Sequence, residues 1–368
     1  MIEDRALFRR WPALMEPLPH LHLADLPTPV QRLDRLSSAL NAELWIKRDD
    51  RSSRLYGGNK VRKLEFLLAD ALAAGFHRVW TIGPAGSHHV LALARFSQSV
   101  DLSCSAVTFP EYESRHTDTI RRAISASGCD VVHASTWQRF AVDLLRHGPG
   151  DAYVIPPGSS SALADLGYLN AGLELSDQIQ AGLCPKPDVV VVALGSGGTS
   201  TGLMVGLEMG DVSCRLDLVR VTTVLVANRL NLYRQVVDMA HLLNRAWRRT
   251  AAGGGPNVPA PFAEAFRRVT GFPSFSHMDG QRDDQRPLQS VRRVRVALVS
   301  NQIGPGYAVP TAEGRRAASL LERQEGIELE PTYTAKAFAH VLDLVRRSPR
   351  RKPVILFWHT AHQEILKP

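Results

Sequence analysis

The chain has 368 residues and a formal net charge of +8 at pH 7, with 44% hydrophobic and 22% charged residues. This length predicts two domains or one large domain with an insertion, and no apolar run approaches the about 20 residues of a membrane helix. The charge comes mostly from arginine clusters without interleaved aromatic residues, which favours a solvated surface over a nucleic-acid-binding one.

The predicted elements alternate short β-rich runs with helical patterns along the chain. Candidate strands occupy residues 43–47, 78–82, 103–108, 152–155, 189–194, 217–221, 294–299 and 354–358, and helical spacing occupies 61–74, 117–127 and 314–325. Such alternation is typical of a parallel sheet covered by helices, so the sequence predicts an α/β fold. Residues 251–287 are rich in Gly, Pro, Arg and Asp and interrupt the pattern, which predicts a loop or an insertion.

Two features indicate the cellular setting. Residues 1–5 are acidic and polar, whereas a signal peptide begins with basic residues followed by an apolar run, so we expect a cytoplasmic protein. The cysteines lie tens of residues apart without a Cys-x-x-Cys pair, which argues against a zinc cluster and a dithiol redox site. We expect these residues to be reduced and buried. They are Cys104, Cys129, Cys184 and Cys214.

The first segment with candidate chemistry is Tyr56-Gly57-Gly58-Asn59-Lys60, which precedes a strong helical pattern. Asn59 is a plausible N-cap, and the two glycines allow a close approach of backbone or ligand. Lys60 would then lie in the first helical turn, where the helix dipole lowers the pKa of an amine that must be neutral to form an imine. For this segment considered alone, a solvent-exposed lysine is the competing interpretation.

A second strand, glycine turn and helix start lie in residues 81–90. Backbone N–H groups and the Ser87 hydroxyl at this helix start could hold a substrate carboxylate. Simple N-capping by Ser87 is the alternative interpretation.

Histidines near these turns suggest a metal site. They are His88, His89, His359 and His362. The spacing His-Glu-x-x-His is absent, and no nearby acidic or thiol ligand in the sequence completes a set. The sequence therefore predicts no metal.

The third segment is a valine-rich strand at residues 189–194, followed by Gly-Ser-Gly-Gly-Thr-Ser-Thr-Gly at 195–202 and a helical pattern from Leu203. Such a turn leaves backbone N–H groups free to converge on an anion at a helix N-terminus. Ser200 occupies the third glycine position of the dinucleotide fingerprint, and no Gly-Lys-Ser/Thr closes the loop. These features favour a single phosphate monoester, with a turn that only packs helix against strand as the alternative.

These elements, in this order, resemble the D-cysteine desulfhydrase and 1-aminocyclopropane-1-carboxylate (ACC) deaminase family of fold type II, tryptophan synthase β-like enzymes that use pyridoxal 5'-phosphate (PLP). The resemblance extends over most of the chain, from Leu26 to Thr360. Its motifs are Leu26-Pro27-Thr28-Pro29, Lys47-Arg48-Asp49-Asp50, and residues 57–65, 153–168, 195–199, 304–310 and 330–336.

The resemblance implies an α/β fold with two doubly wound, mostly parallel sheets and the PLP site between them. It implies a large PLP-binding domain of residues 1–62 and 172–368 and a small inserted domain of residues 63–171. It also implies a homodimer with a small amino acid as substrate. The composition and charge of the chain predict no membrane partner and argue against a nucleic-acid partner. Lys60 takes the place of the lysine that binds PLP as a Schiff base.

The reaction implied by the resemblance is a β-elimination. Lys60 would remove the α-proton, while the cofactor absorbs the charge. For D-cysteine the products would be sulfide, pyruvate and ammonia. The catalytic residues would be Lys60, Ser87, Tyr307 and Tyr333. Cofactor contacts would come from Lys60, Asn59, His88, Gly195, Ser196, Gly197, Gly198, Thr199, Thr334 and Thr360. Substrate contacts would come from Ser87, His88, His89, Gly158 and Ser159.

Several positions depart from the family pattern. ACC deaminases carry a glutamate for the pyridine nitrogen where this chain has Thr334, which favours the desulfhydrase branch, and Thr360 is a second candidate partner. The family's Gln-Ser-Asn-His motif is Gly86-Ser87-His88-His89 here, and its Thr-Gly-Gly is Thr360-Ala361-His362. Three hypotheses follow: a D-cysteine desulfhydrase-like lyase; a diverged PLP enzyme for another elimination, replacement or ACC deamination; and a degenerate or nucleic-acid-binding protein.

Overall fold

The computed structural model describes residues 5–250, 259–270, 293–347 and 352–362. The strands in these ranges are β1 (Val30–Arg32), β2 (Glu43–Arg48), β3 (Arg78–Pro84), β4 (Ser103–Phe109), β5 (Asp130–His133), β6 (Tyr153–Val154), β7 (Val189–Leu194), β8 (Cys214–Arg220), β9 (Val294–Val299) and β10 (Val354–His359). The helices are α1 (Ala6–Arg10), α2 (Asp34–Leu40), α3 (Asn59–Ala73), α4 (His88–Gln98), α5 (Arg115–Ser125), α6 (Trp137–Arg146), α7 (Ala162–Gln180), α8 (Gly198–Met209), α9 (Arg229–Arg249), α10 (Ala260–Thr270), α11 (Ala312–Glu325) and α12 (Thr334–Arg347).

The larger sheet has six strands in the order β1-β2-β10-β7-β8-β9, and all neighbours are parallel except β1 and β2. Every residue of β7 is buried. Val190 and Val192 face the core formed with α7 and α8, whereas Val189 and Val191 face the core formed with α12. A strand that is covered on both faces needs an unbroken apolar run, which β7 supplies.

The smaller sheet has four parallel strands in the order β5-β4-β3-β6. Val79 and Cys104 pack on one face with residues of α3 and α4, whereas Trp80 and Val107 pack on the other face beside α6. All four cysteines are buried and free, as predicted.

The α/β class with two mostly parallel sheets is confirmed, and the predicted bounds of β7 and β9 are those of the structure. The interpretation of residues 251–287 as a loop needs a correction, because α10 lies inside them and buries Phe262 and Phe266 against the larger sheet's core. The rest of that segment lies outside the described residues. The strands of the smaller sheet all fall between residues 63 and 171. The predicted domain boundaries themselves stay a prediction.

A buried ion network fixes the start of α3. Arg62 donates to Asp49 at 2.8 Å and to Glu174 at 3.0 Å, and Lys47 forms a further ion pair with Glu174. Burial by itself would raise the pKa of Glu174, but Arg62 and Lys47 lower it to about 2. Because Arg62 follows Lys60 by two residues, this network sets the position of Lys60 in the first turn.

The carboxyl ends of the strands carry the segments that the sequence analysis singled out. Residues 85–87 follow β3, residues 195–197 follow β7, and residues 360–362 follow β10. Ligands in parallel α/β sheets bind at this edge, where loops and helix N-termini meet. No helix among the described residues is long and apolar enough to cross a bilayer.

Candidate active site

A cavity of about 450 Å³ is lined by loops that follow strands of both sheets. It brings together most of the residues predicted to form a site. Those that line it are Asn59, Lys60, Ser87, His88, His89, Gly158, Gly195, Ser196, Gly197, Thr199, Tyr307, Tyr333 and Thr360. Ser159, Gly198 and Thr334 are not among the residues that line it.

Lys60 lies in the first turn of α3, as predicted, and its side chain reaches the cavity. Burial, followed by the charge of Lys63, lowers the pKa of Lys60 to about 7. Its Nζ lies 3.5 Å from the Gly158 carbonyl oxygen. An amine with such a pKa is substantially neutral near pH 7, which is the state that attacks a carbonyl group.

The predicted N-cap of α3 was wrong. Gly58 is the N-cap, and Asn59 is the first helical residue. Gly58 has a φ of +95°, and a Cβ there would lie 2.9 Å from the Thr360 carbonyl oxygen, so a side chain is excluded on both counts. The Asn59 side-chain amide does not cap the helix and instead donates to Thr199 Oγ1 at 3.1 Å. This hydrogen bond joins the start of α3 to the start of α8, after the loop that follows β7.

The loop after β7 forms a cradle at the N-terminus of α8. Gly197 has a φ of +107° and is the N-cap of that helix. The Gln235 amide donates to the Ser196 carbonyl oxygen at 2.9 Å and holds the turn. Ser200 Oγ lies in this cradle, is buried, and has no hydrogen-bond partner within the described part of the chain. A buried hydroxyl beside a helix N-terminus fits an anion that supplies the missing acceptor.

Beneath the cradle lies a buried pair that the sequence analysis missed. Lys63 Nζ lies 3.6 Å from Asp165 Oδ1. Burial raises the pKa of Asp165 to about 6 against the attraction of Lys63, and burial lowers the pKa of Lys63. Lys60 and Lys63 are three residues apart and therefore share one face of α3, which is the signal that could have indicated a second lysine.

Tyr307 and Tyr333 both line the cavity and contact each other there. Their hydroxyl oxygens are 2.7 Å apart, and their rings are nearly perpendicular, at 79°. Burial raises the pKa of both phenols, so both remain neutral O–H donors at physiological pH. The Tyr333 ring also approaches Gly195, where a Cβ would lie 3.1 Å from it.

Ser87 is the N-cap of α4, and its Oγ accepts from the Val90 amide at 3.3 Å. The capping interpretation is therefore confirmed. Within the described residues the Ser87 hydroxyl donates to no acceptor, so it can donate to a carboxylate in the cavity.

The two adjacent histidines have different surroundings. His88 contacts the Tyr56 hydroxyl through Nδ1 at 2.7 Å and His116 through Nε2 at 2.9 Å. His89 uses both ring nitrogens on hydroxyls, those of Thr81 and Ser159, each at 2.9 Å. Burial lowers the pKa of both imidazoles, so both are neutral. His89 thus holds the loop at residues 158–159 in place.

Comparison with known proteins decides the family. The sequence profile described as "Pyridoxal-phosphate dependent enzyme" matches residues 21–361. The chain belongs to this family. The D-cysteine desulfhydrases of Klebsiella pneumoniae subsp. pneumoniae and of Klebsiella pneumoniae strain 342 are 31% and 32% identical to it, over 93% of each chain.

Solved structures agree with this assignment. An ACC deaminase homologue superposes on this PLP-dependent enzyme with a TM-score of 0.67 and 27% identity, covering 98% of this chain and 95% of its own. A fungal L-serine ammonia-lyase from Rhizomucor miehei shares the fold at a TM-score of 0.57, covering 94% of this chain and 95% of its own. The resemblance inferred from the motifs is thereby confirmed.

The cavity of this PLP-dependent enzyme fits its cofactor. Lys60 would hold PLP covalently, the cradle from Gly195 to Thr199 would hold the phosphate, and the buried Ser200 hydroxyl would gain an acceptor. Thr360 lines the cavity as a candidate partner for the pyridine nitrogen. The Thr334 hydroxyl instead accepts from the Glu330 amide at 3.0 Å. The structure therefore brings Thr360 and not Thr334 to the cavity.

The cavity also contains polar residues that the sequence analysis did not single out. They include Glu111, His116 and Glu330. Glu111 and His116 follow β4, which is the neighbour of β3, so the rule that sites form at the carboxyl ends of adjacent strands could have found them. The nitrogen and carboxylate atoms of His88, His116 and Glu330 come within 4.8 Å of one another. The absence of a metal stays a prediction.

Proposed function

We propose that this PLP-dependent enzyme is a lyase that eliminates a β-leaving group from a small amino acid, in the manner of the D-cysteine desulfhydrases. The observation that carries the proposal is the position of Lys60. Its amine, with a pKa lowered to about 7, lies in one cavity with the phosphate cradle and the tyrosine pair. Relatives at 31% and 32% identity bear the name D-cysteine desulfhydrase, which supports the same reaction.

The residues of the cavity have different roles in the proposed reaction. PLP, when bound, supplies an electron sink for the charge that develops at the α-carbon. The Lys60 amine, neutral near pH 7, takes the α-proton, and the Ser87 hydroxyl orients the substrate carboxylate. Tyr307 and Tyr333 share one hydrogen bond between two hydroxyls, so one O–H stays free to donate to the leaving group.

Thr334 separates this reaction from ACC deamination. Opening a cyclopropane demands a strong electron sink, which the resemblance attributes to a glutamate that keeps the pyridine nitrogen protonated. A threonine stands at that position here, and its hydroxyl is engaged by Glu330. A partner without charge supports elimination of a good leaving group over ring opening.

The test combines a spectrum with product detection. We expect the purified protein to show the visible absorbance band of lysine-bound PLP and to form pyruvate and sulfide in equal amounts from D-cysteine. Lys60→Ala should lose the band and the activity, because Lys60 is the one lysine among the described residues that line the cavity. A wild-type protein that shows the band but forms neither product from D-cysteine contradicts the desulfhydrase assignment.

We also propose a homodimer in the cytoplasm, as the resemblance implies. Sedimentation of the purified protein at several concentrations tests the assembly. A mass near the 40.5 kDa of one chain at all concentrations contradicts it.

A further inference from the structure

A carboxylate occupies the place left by a missing side chain beside the predicted substrate-carboxylate loop. Where the resemblance expects glutamine, the chain has Gly86, and its amide donates a hydrogen bond to Glu111 Oε1. A Cβ on residue 86 would lie 2.5 Å from that oxygen and 2.9 Å from the Thr117 Cα. Glu111 and the start of α5 therefore leave room only for glycine at position 86. Where the resemblance expects the neutral amide of a glutamine side chain, this chain has the carboxylate of Glu111.

Glu111 lines the cavity that would receive the substrate. It lines the same cavity as Tyr307 and Tyr333, and its charge contributes to the raised pKa of both phenols. These phenols are the groups proposed to border the leaving group. Glu111 thus lies within electrostatic range of the reacting side chain and not only of the backbone.

Within the described ranges, Glu111 forms no ion pair with a lysine or arginine. Burial raises the pKa of Glu111 to about 7, the Gly86 amide opposes this effect, and the neighbouring Glu113 adds to it. None of the ion pairs among the described residues joins a lysine or arginine to Glu111. His88 and His116, which line the same cavity, are held neutral because burial lowers their pKa. Above pH 7 the Glu111 carboxylate is therefore charged and has no lysine or arginine partner among the described residues.

We propose that Glu111 selects amino acids with an ammonium group on the β-carbon, so that ammonia is the leaving group. This inference rests on the proposed β-elimination and names its substrate class. An ammonium placed beside Glu111 supplies the cation that the carboxylate lacks, whereas the thiol of cysteine or the hydroxyl of serine does not. The simplest such substrate is 2,3-diaminopropionate.

The elimination balances without a further reactant except water. Lys60 takes the α-proton, the Cβ–N bond breaks, and its electron pair leaves on nitrogen as ammonia. The resulting enamine adds water and gives pyruvate and a second ammonia. Glu111 holds the ammonium in line for departure and does not itself lose or gain a proton overall.

The test compares two substrates on matched variants of the holoenzyme above pH 7. The kcat/KM for each enantiomer of 2,3-diaminopropionate is divided by that for D-cysteine, with pyruvate as the readout. We expect Glu111→Gln to lower this ratio by about tenfold or more, the usual effect of removing one partner of a desolvated charge pair. Glu111→Asp should retain part of it. Glu113→Gln is the control, since Glu113 is exposed and pairs with Arg121.

Binding gives a readout that does not depend on turnover. The concentration of each amino acid that half-perturbs the PLP absorbance measures its affinity, even if neither substrate reacts and the proposed elimination fails. A ratio of affinities that is the same in wild type and Glu111→Gln overturns the role of Glu111. Wild-type turnover of D-cysteine without turnover of either 2,3-diaminopropionate enantiomer overturns the substrate class alone. An unchanged PLP spectrum and melting temperature in Glu111→Gln shows that the variant is folded.

Discussion

Removing the charge of Glu174 should destabilise the protein through the network that holds α3. The Glu174 carboxylate accepts two bonds from Arg62 at 3.0 Å, one from the Thr28 amide at 3.0 Å, and one from Lys47. In Glu174→Gln the buried cations Arg62 and Lys47 would have only one buried carboxylate near them, that of Asp49. Removing one partner of a buried ion pair leaves an uncompensated charge, which is costly.

The size of the effect follows from the pKa. Lowering the pKa of Glu174 from 4.5 to about 2 corresponds to about 3 kcal/mol of folding free energy. Because the folded-state pKa lies below the unfolded one, this contribution is complete above pH 4.5 and is lost as the pH falls toward 2. We therefore expect Glu174→Gln to lower the free energy of unfolding by about 3 kcal/mol at pH 7, with the difference shrinking below pH 4.5.

Urea denaturation followed by tryptophan fluorescence at a fixed PLP concentration measures this difference. Glu43→Gln is the matched control, because Glu43 pairs with Arg32 at the surface and such pairs contribute less than about 1 kcal/mol. If the two variants lose equal stability, or if the loss in Glu174→Gln is the same at pH 3 and pH 7, the reasoning from the buried network is refuted.

Three further predictions concern the cavity. Gly198→Ala should weaken PLP binding about tenfold or more, since its Cβ would lie 2.0 Å from Asp165 Oδ1; Gly148→Ala, whose Cβ would meet one oxygen at 3.1 Å, should bind PLP normally in the same titration. Recombination of the apoenzyme with PLP should accelerate as the pH rises through about 7 and then level off, because only the neutral Lys60 amine reacts; a flat profile contradicts the lowered pKa. Tyr333→Phe should reduce kcat about 100-fold with an unchanged PLP spectrum, and an unchanged kcat removes Tyr333 from proton transfer.

The central part of the fold could be predicted from the sequence because its signals are local. The run at 189–194 is apolar throughout and ends at a glycine, so both its class and its bounds follow from the residues themselves. β1 and β5 lack such a signal. β1 has three residues at the sheet edge, and β5 has one exposed and three partly buried residues, so their pairing with β2 and β4 decides that they are strands.

The site was predictable where one segment contains its own geometry. Strand, glycine turn and helix start at residues 195–199 place backbone N–H groups at a helix N-terminus whatever surrounds them. Thr334 shows the limit of transferring a role by position. The Glu330 carboxylate caps the start of α12 by accepting from the backbone amides of Thr332, Tyr333 and Thr334. The Glu330 backbone amide in turn donates to the Thr334 hydroxyl oxygen. An acidic residue just before a helix is a signal that could have indicated this use.

Gly86 shows why departures from a family pattern are hard to interpret singly. In the sequence, Gly86 stands where the family pattern has glutamine, and no residue close to it in the sequence explains the difference. In the structure it makes room for Glu111, which comes from the loop after the neighbouring strand β4. The two positions are 25 residues apart, and only the parallel pairing of β3 with β4 makes them neighbours. The pocket has therefore exchanged a neutral group for an acidic one, and substrate charge, more than the identity of the sulfur atom, is the property on which its specificity should be tested.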